Sequence, residues 1–70
     1  MENRVEEAIE LADELLEAID ELPERAEEFA DSVSAKAIDI KHTIEEMNFA
    51  SDKQIEALQN MLAGVQKWIR

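Results

Sequence analysis

The chain has 70 residues, no cysteine and a formal net charge of −11 at pH 7. A domain of this size lies close to the limit at which one core outweighs chain entropy, and neither disulfides nor thiolate metal sites can supplement that core. The 46% apolar content, with one glycine and one proline, predicts a folded chain. The negative charge disfavours direct binding to nucleic acid or to an anionic membrane.

The chain carries no signal for a membrane span or for secretion. No apolar run approaches the roughly 18 residues that span a bilayer, and the N-terminus lacks the basic and apolar regions of a signal peptide. Valine and isoleucine are too scattered to form strands. We therefore expect a cytoplasmic, all-α protein with a single helical domain over residues 1–70.

The first predicted helix covers about residues 3–20. Its apolar residues fill an arc of roughly 180°, wider than the ordinary amphipathic stripe of about 100°. A face this wide can contact two neighbouring helices at once. The opposite side is almost purely acidic, with Glu6, Glu7, Glu10, Asp13, Glu14, Glu17, Asp20 and Glu21. Because like charges one turn apart repel, this helix must depend on packing.

Pro23 separates the first helix from a second, predicted over residues of about 23–47 with proline at its first helical position. An interior proline costs about 3 kcal/mol and disfavours the α conformation at Leu22. A tight turn at residues 20–23 and a small three-helix antiparallel bundle are therefore favoured. The alternative is a helical hairpin whose long first helix is kinked at Pro23, because the two apolar stripes coincide. That hairpin would have to dimerise.

The third helix is predicted over residues of about 52–69. Ser51 followed by Gln54 forms a capping box, and Ala50 and Ile55 have the spacing of a hydrophobic staple. These two signals place the start of the helix at Asp52.

Several apolar side chains near the element ends have two interpretations. Phe49 lies in the turn before the third helix, and Trp68 lies one helical turn after Gly64, so the indole is expected to cover Gly64. Met47, Met61, Phe49 and Trp68 are more typical of a core. However, tryptophan is enriched at interaction hot spots, so Phe49, Gly64 and Trp68 are also candidates for binding a partner.

The chain offers little for catalysis or metal binding. Its one histidine, His42, has the i,i+3 spacing from Asp39 of a carboxylate–histidine metal motif. A di-metal bundle needs a second such motif and inward-facing ligands, whereas His42 is expected to face outward. There is no glycine-rich phosphate loop, no EF-hand spacing and no nucleophile beside a positioned base. We expect no enzymatic activity, no metal site and no cofactor.

The negative charge is concentrated in the first part of the chain. Residues 1–31 hold thirteen carboxylates and two arginines, whereas residues 32–70 hold five carboxylates and five basic residues. Many of the acids recur at intervals of one helical turn, about 5.4 Å, which is similar to the spacing of successive phosphates on a nucleic-acid strand. Such a row is either a solvated surface or a binding surface for a basic partner. The candidate partner-binding residues are Glu6, Glu10, Asp13, Glu17, Asp20 and Glu24.

The last segment, SDKQIEALQNMLAGVQKWIR, resembles C-terminal stretches of small helical proteins encoded on phages and plasmids. The small size, the acidity, the absence of cysteine and the helical build also resemble phage-encoded inhibitors of nucleic-acid-handling machines, such as DNA mimics and anti-CRISPR proteins. This resemblance implies a non-enzymatic inhibitor whose acidic helical face binds a basic protein surface. The alternative is an oligomerising adaptor or chaperone-like subunit, a possible homodimer that pairs through the apolar face of its first helix.

Overall fold

The computed structural model describes residues 4–69, so residue 3, the expected start of the first helix, lies outside the described range. Within that range the chain forms three α-helices and no strand: α1 Val5–Asp20, α2 Glu27–Met47 and α3 Asp52–Ile69. The prediction of an all-α, three-helix bundle is confirmed. None of the helices between residues 4 and 69 is both long and apolar enough to cross a membrane.

The helices run up, down and up. Arg4, just before α1, contacts Asp52 at the start of α3, while Phe29 near the start of α2 contacts Trp68 near the end of α3. The starts of α1 and α3 therefore lie at one end of the bundle, and the start of α2 lies at the other. The bundle is elongated, with extents of 42 × 20 × 16 Å.

α1 is the central helix of the bundle. It packs extensively against both α2 and α3, whereas α2 and α3 contact each other much less. Its buried residues are Ala8, Ala12, Leu15 and Ile19. The wide apolar arc thus contacts two neighbours, as the sequence predicted. The arc is covered within the chain and is not exposed for pairing with a second copy.

All three helices contribute to one apolar core. Its largest fully buried side chains are Leu15 of α1, Ile44 of α2, and Leu58 and Val65 of α3. No charged or polar residue between positions 4 and 69 is buried. The bundle is consequently held by apolar contacts, and its charges all lie at the surface.

Pro23 interrupts the helical conformation between α1 and α2. Its backbone is extended, with φ −71° and ψ 161°, so the kinked-helix alternative is wrong. The carbonyl of Pro23 accepts the N–H of the last residue of a 3-10 turn, Glu24–Ala26, at 2.9 Å. α2 therefore begins at Glu27 and not at residue 23. Because the ψ of Pro23 is far from the helical value, this residue precedes the 3-10 turn and does not belong to a helix.

The turn between α2 and α3 is closed by backbone geometry and by a side-chain cap. Asn48 ends α2 in the left-handed conformation, which asparagine tolerates better than most residues. The N–H of Ser51 donates to Oε1 of Gln54 at 2.8 Å, and the N–H of Gln54 donates to Oγ of Ser51 at 3.1 Å. The predicted capping box is confirmed, and α3 begins at Asp52 as expected.

Replacing Ser51→Ala should lower the free energy of unfolding by about 1 kcal/mol, because the N–H of Gln54 loses its acceptor at a half-buried helix start. Urea denaturation should show a lower midpoint with an unchanged m-value. Ser32→Ala, at an exposed position within α2, removes the same atom from a helix interior and should not destabilise the protein. Equal losses in the two variants would show that the cap contributes nothing.

Candidate functional site

The predicted partner-binding carboxylates lie on one side of the bundle. On a helical wheel, those of α1 are opposite its buried stripe. All six side chains are exposed. We call this set the acidic face; it consists of Glu6, Glu10, Asp13, Glu17, Asp20 and Glu24.

The acidic face continues around the corner between α1 and α2. A crevice of about 630 Å³ at this corner brings together the carboxylates of Asp20, Glu24, Glu27 and Asp31. The break at Pro23 folds the start of α2 back against the end of α1, which is why these four acids meet. The candidate set from the sequence lacked Glu27 and Asp31, although their i,i+4 spacing on a helix start was a signal that they share one side.

Two carboxylates of α1, Glu7 and Asp13, form ion pairs within the chain. Lys41 of α2 donates from Nζ to Oδ1 of Asp13 at 2.7 Å. This hydrogen bond raises the pKa of Lys41, against the opposing effect of partial desolvation. Arg4 donates from Nε to Oε2 of Glu7 at 2.7 Å and from Nη1 to Oδ1 of Asp52 at 2.8 Å. Arg4 therefore links the starts of α1 and α3, and Asp13 links α1 to α2.

The other members of the acidic face have no ion pair within residues 4–69: Glu6, Glu10, Glu17, Asp20 and Glu24. Their negative potential is therefore not offset by a direct contact with a cation. Asp13 differs from them, because a partner would have to compete with Lys41 for its carboxylate.

The apolar candidates lie at opposite ends of the bundle. Met47 and Phe49, at the turn between α2 and α3, are 69% and 61% exposed, so their interpretation as core residues is wrong. They are exposed because they lie at the end of α2 and in the turn, outside the contact with α1. Trp68, at the other end, is 38% exposed, whereas Met61 is half-buried.

Trp68 belongs to a small cluster that joins α2 and α3. Its ring centroid lies 6.1 Å from that of Phe29, and Cζ of Arg25 lies 5.6 Å from the centroid of the tryptophan ring. Both contacts are within the usual range for aromatic pairs and cation–π pairs. A Cβ at Gly64 would lie 3.7 Å from Cζ of Phe29. It is therefore the Phe29 ring from α2, and not the indole, that covers this side of Gly64.

The predicted Asp39–His42 pair gains no further metal ligand among residues 4–69. Asp39 and His42 are both exposed, and the carbonyl of Asp39 accepts a hydrogen bond from Oγ1 of Thr43 at 3.0 Å. Among residues 4–69, no three histidine, aspartate or glutamate side chains are placed so that they could hold a metal ion.

No protein-family model, curated protein or solved structure matches this chain. The acidic face and the exposed apolar side chains are therefore the features from which a function can be argued.

Replacing Asp13→Asn should lower the pKa of Lys41 toward its ordinary value of 10.5, because the raised value depends on the Asp13 carboxylate. A raised lysine pKa gives stabilisation that is complete below pH 10.5 and is lost as the pH rises through the folded-state pKa. The pH titration of the Lys41 side chain by NMR measures this change. Asp20→Asn is the control and should leave the Lys41 titration unchanged. An unchanged titration in Asp13→Asn would mean that Asp13 does not interact with Lys41.

Gly64→Ala should raise the free energy of unfolding by about 0.5–1 kcal/mol, because alanine is the better helix former. The new methyl group would meet Phe29 at an ordinary van der Waals distance, so no clash opposes this gain. Thermal and urea unfolding measure the effect. Ala63→Gly, the reverse change at the exposed neighbouring position, should cause a loss of similar size. Destabilisation by Gly64→Ala would show that the helix needs the bare backbone there.

Proposed function

We propose that this protein is a non-enzymatic binding module that inhibits a nucleic-acid-handling protein by docking its acidic face on a basic surface of that partner. The observation that carries the proposal is the row of exposed carboxylates on one side of the bundle, five of which form no ion pair with residues 4–69.

The spacing of the row suits a surface that evolved to hold a phosphate backbone. From Glu6 to Asp20, five carboxylates cover about 21 Å of α1, at a rise of about 1.5 Å per residue. They therefore follow one another every 4.5–6 Å or so along the helix. Phosphates follow one another every 3.4 Å or so along the axis of one strand of duplex DNA. Along its axis the row therefore has roughly two thirds of the charge density of one DNA strand, so a groove lined by lysine and arginine meets a regular but sparser line of negative charge.

The rigidity of α1 supports the same proposal. The carboxylates project from a helix whose opposite side is locked into the core by Leu15 and its neighbours. The backbone that carries them is ordered before a partner arrives, which lowers the entropic cost of binding. A concentrated negative field also speeds encounter with a basic surface.

The alternative prediction of an oligomerising adaptor depended on an exposed apolar face of α1. Its pairing required an exposed apolar arc on α1, and Ala8, Ala12, Leu15 and Ile19 of that arc are buried against α2 and α3. This burial favours the binding module over an adaptor that pairs through α1.

The double variant Glu10→Lys/Glu17→Lys tests the role of the acidic face. With the protein immobilised, a host lysate should yield DNA- or RNA-binding proteins that a short DNA duplex displaces. The variant should capture these proteins at least tenfold less well at low salt, because two carboxylates at the centre of the row become repulsive to a basic surface.

Glu46→Lys/Glu56→Lys is the matched control, since it makes the same change in net charge on α2 and α3, outside the acidic face. This control should retain most of the capture. Equal losses in the two variants would indicate a general effect of net charge, and partners that DNA does not displace would contradict the proposed mimicry.

A further inference from the structure

A groove lies between α2 and α3 on the side of the bundle away from α1. It exists because α2 and α3 each pack against α1 and only lightly against each other. The groove has a volume of about 390 Å³. Its lining includes Phe29, Val33, Met61 and Gly64, with Lys36 and Asn60 at its edge. No carboxylate belongs to this lining.

Apolar side chains extend the groove to both ends of the bundle. Met47 follows Phe29 by eighteen residues, which is about five full turns, so both lie on the same edge of α2. Met47 is 69% exposed, and Trp68 at the opposite end is 38% exposed. Apolar side chains therefore lie exposed at both ends of the groove and partly exposed along its floor, an arrangement typical of an interaction site.

The two lips of the groove carry opposite charges. The lip on α2 has Glu28, Asp39 and Glu46 besides Lys36, and the lip on α3 has Lys53 and Lys67 besides Glu56. All seven are exposed, and the net charges of the two lips are −2 and +1. Glu28 and Glu46 are eighteen residues apart and share one angular position, while the two lysines lie within about 40° of each other. None of these seven side chains forms an ion pair with another residue in the range 4–69.

We propose that a second copy of this chain covers the groove, related to the first by a two-fold axis that runs along the groove. This axis places α2 of each copy against α3 of the other. Because Phe29 contacts Trp68 within one chain, Glu28 and Lys67 lie at the same end of the groove. Glu46 and Lys53 both flank the turn at the other end. Each carboxylate lip therefore faces the lysine lip of the second copy.

The charges also select this arrangement over the other two-fold arrangement. An axis perpendicular to the groove would place α2 on α2 and α3 on α3, so that carboxylates would face carboxylates and lysines would face lysines. The axis along the groove makes the contact self-complementary. Either axis leaves the two acidic faces on opposite outer sides of the dimer, where the repulsion between two chains of charge −11 is weakest, so the charges of the lips decide between the two arrangements.

The size of the face predicts a weak dimer. A helix of 21 residues is about 31 Å long, and two adjacent helices are about 20 Å wide, which gives a face on the order of 600 Å². Stable interfaces usually bury about 800 Å² on each partner. We therefore expect a dissociation constant in the micromolar range or above, with dimers forming as the protein is concentrated.

Sedimentation equilibrium of the full chain, from low micromolar to millimolar protein, tests the proposal. The wild-type chain should shift from monomer to dimer over this range. Glu28→Lys/Glu46→Lys and Lys53→Glu/Lys67→Glu should each weaken self-association at least tenfold, because each makes the two lips alike. An equimolar mixture of the two variants should form a heterodimer, since every lip then faces its opposite charge.

The chain with all four substitutions should regain the homodimer, because both lips are exchanged together. Glu10→Lys/Glu17→Lys makes the same change in net charge on the acidic face, away from the groove, and should not weaken the dimer. Circular dichroism checks that each variant keeps its helices. A wild-type chain that stays monomeric, a dimer that the lip variants leave intact, or a mixture that forms no heterodimer would each overturn the proposal. The acidic face takes no part in this contact, so failure here leaves the proposed function standing, and the reverse also holds.

Discussion

The apolar arc of α1 is the feature on which the rest of the molecule depends. Because it covers about half of the helix, it packs against α2 and α3 together, and its centre is fully buried at Ala8, Ala12 and Leu15. Burying one leucine side chain contributes about 1.5–3 kcal/mol, whereas one pair of like charges a turn apart costs a few tenths of a kcal/mol. Packing therefore outweighs the repulsion among the carboxylates on the other half, and α1 can remain helical while carrying them.

The same arc determines where the two exposed surfaces lie. A central helix that contacts both neighbours leaves its outer half to solvent, and this half carries the acidic face. It also relieves α2 and α3 of the need to pack tightly against each other, so the groove between them stays open. The packing of α1 against both neighbours thus leaves an acidic surface on one side of the bundle and an apolar groove on the opposite side.

Features set by neighbouring residues were predictable from the sequence, and features set by contacts between helices were not. The break at Pro23 and the cap at Ser51 depend on proline geometry and on a three-residue spacing, so both were predicted, although Pro23 precedes the second helix by four residues and is not its first helical residue. The cover over Gly64 comes from Phe29, thirty-five residues earlier in the chain, and no local pattern reports such a contact. Met47 has the spacing of a core residue but lies at the end of α2, and only the arrangement of the helices shows that it is exposed.

The few cations of the chain are distributed in a way that keeps both surfaces charged. Arg4 and Lys41 tie α1 to its neighbours, while Lys53 and Lys67 lie on α3, away from the acidic face. If those two lysines paired with the acids of α1, the acidic face would lose charge and the groove would lose one lip. In the proposed dimer, the two grooves cover each other and the two acidic faces lie on opposite sides. Such a dimer binds a partner with two basic surfaces more tightly than either face alone, because the second contact forms at a high effective concentration.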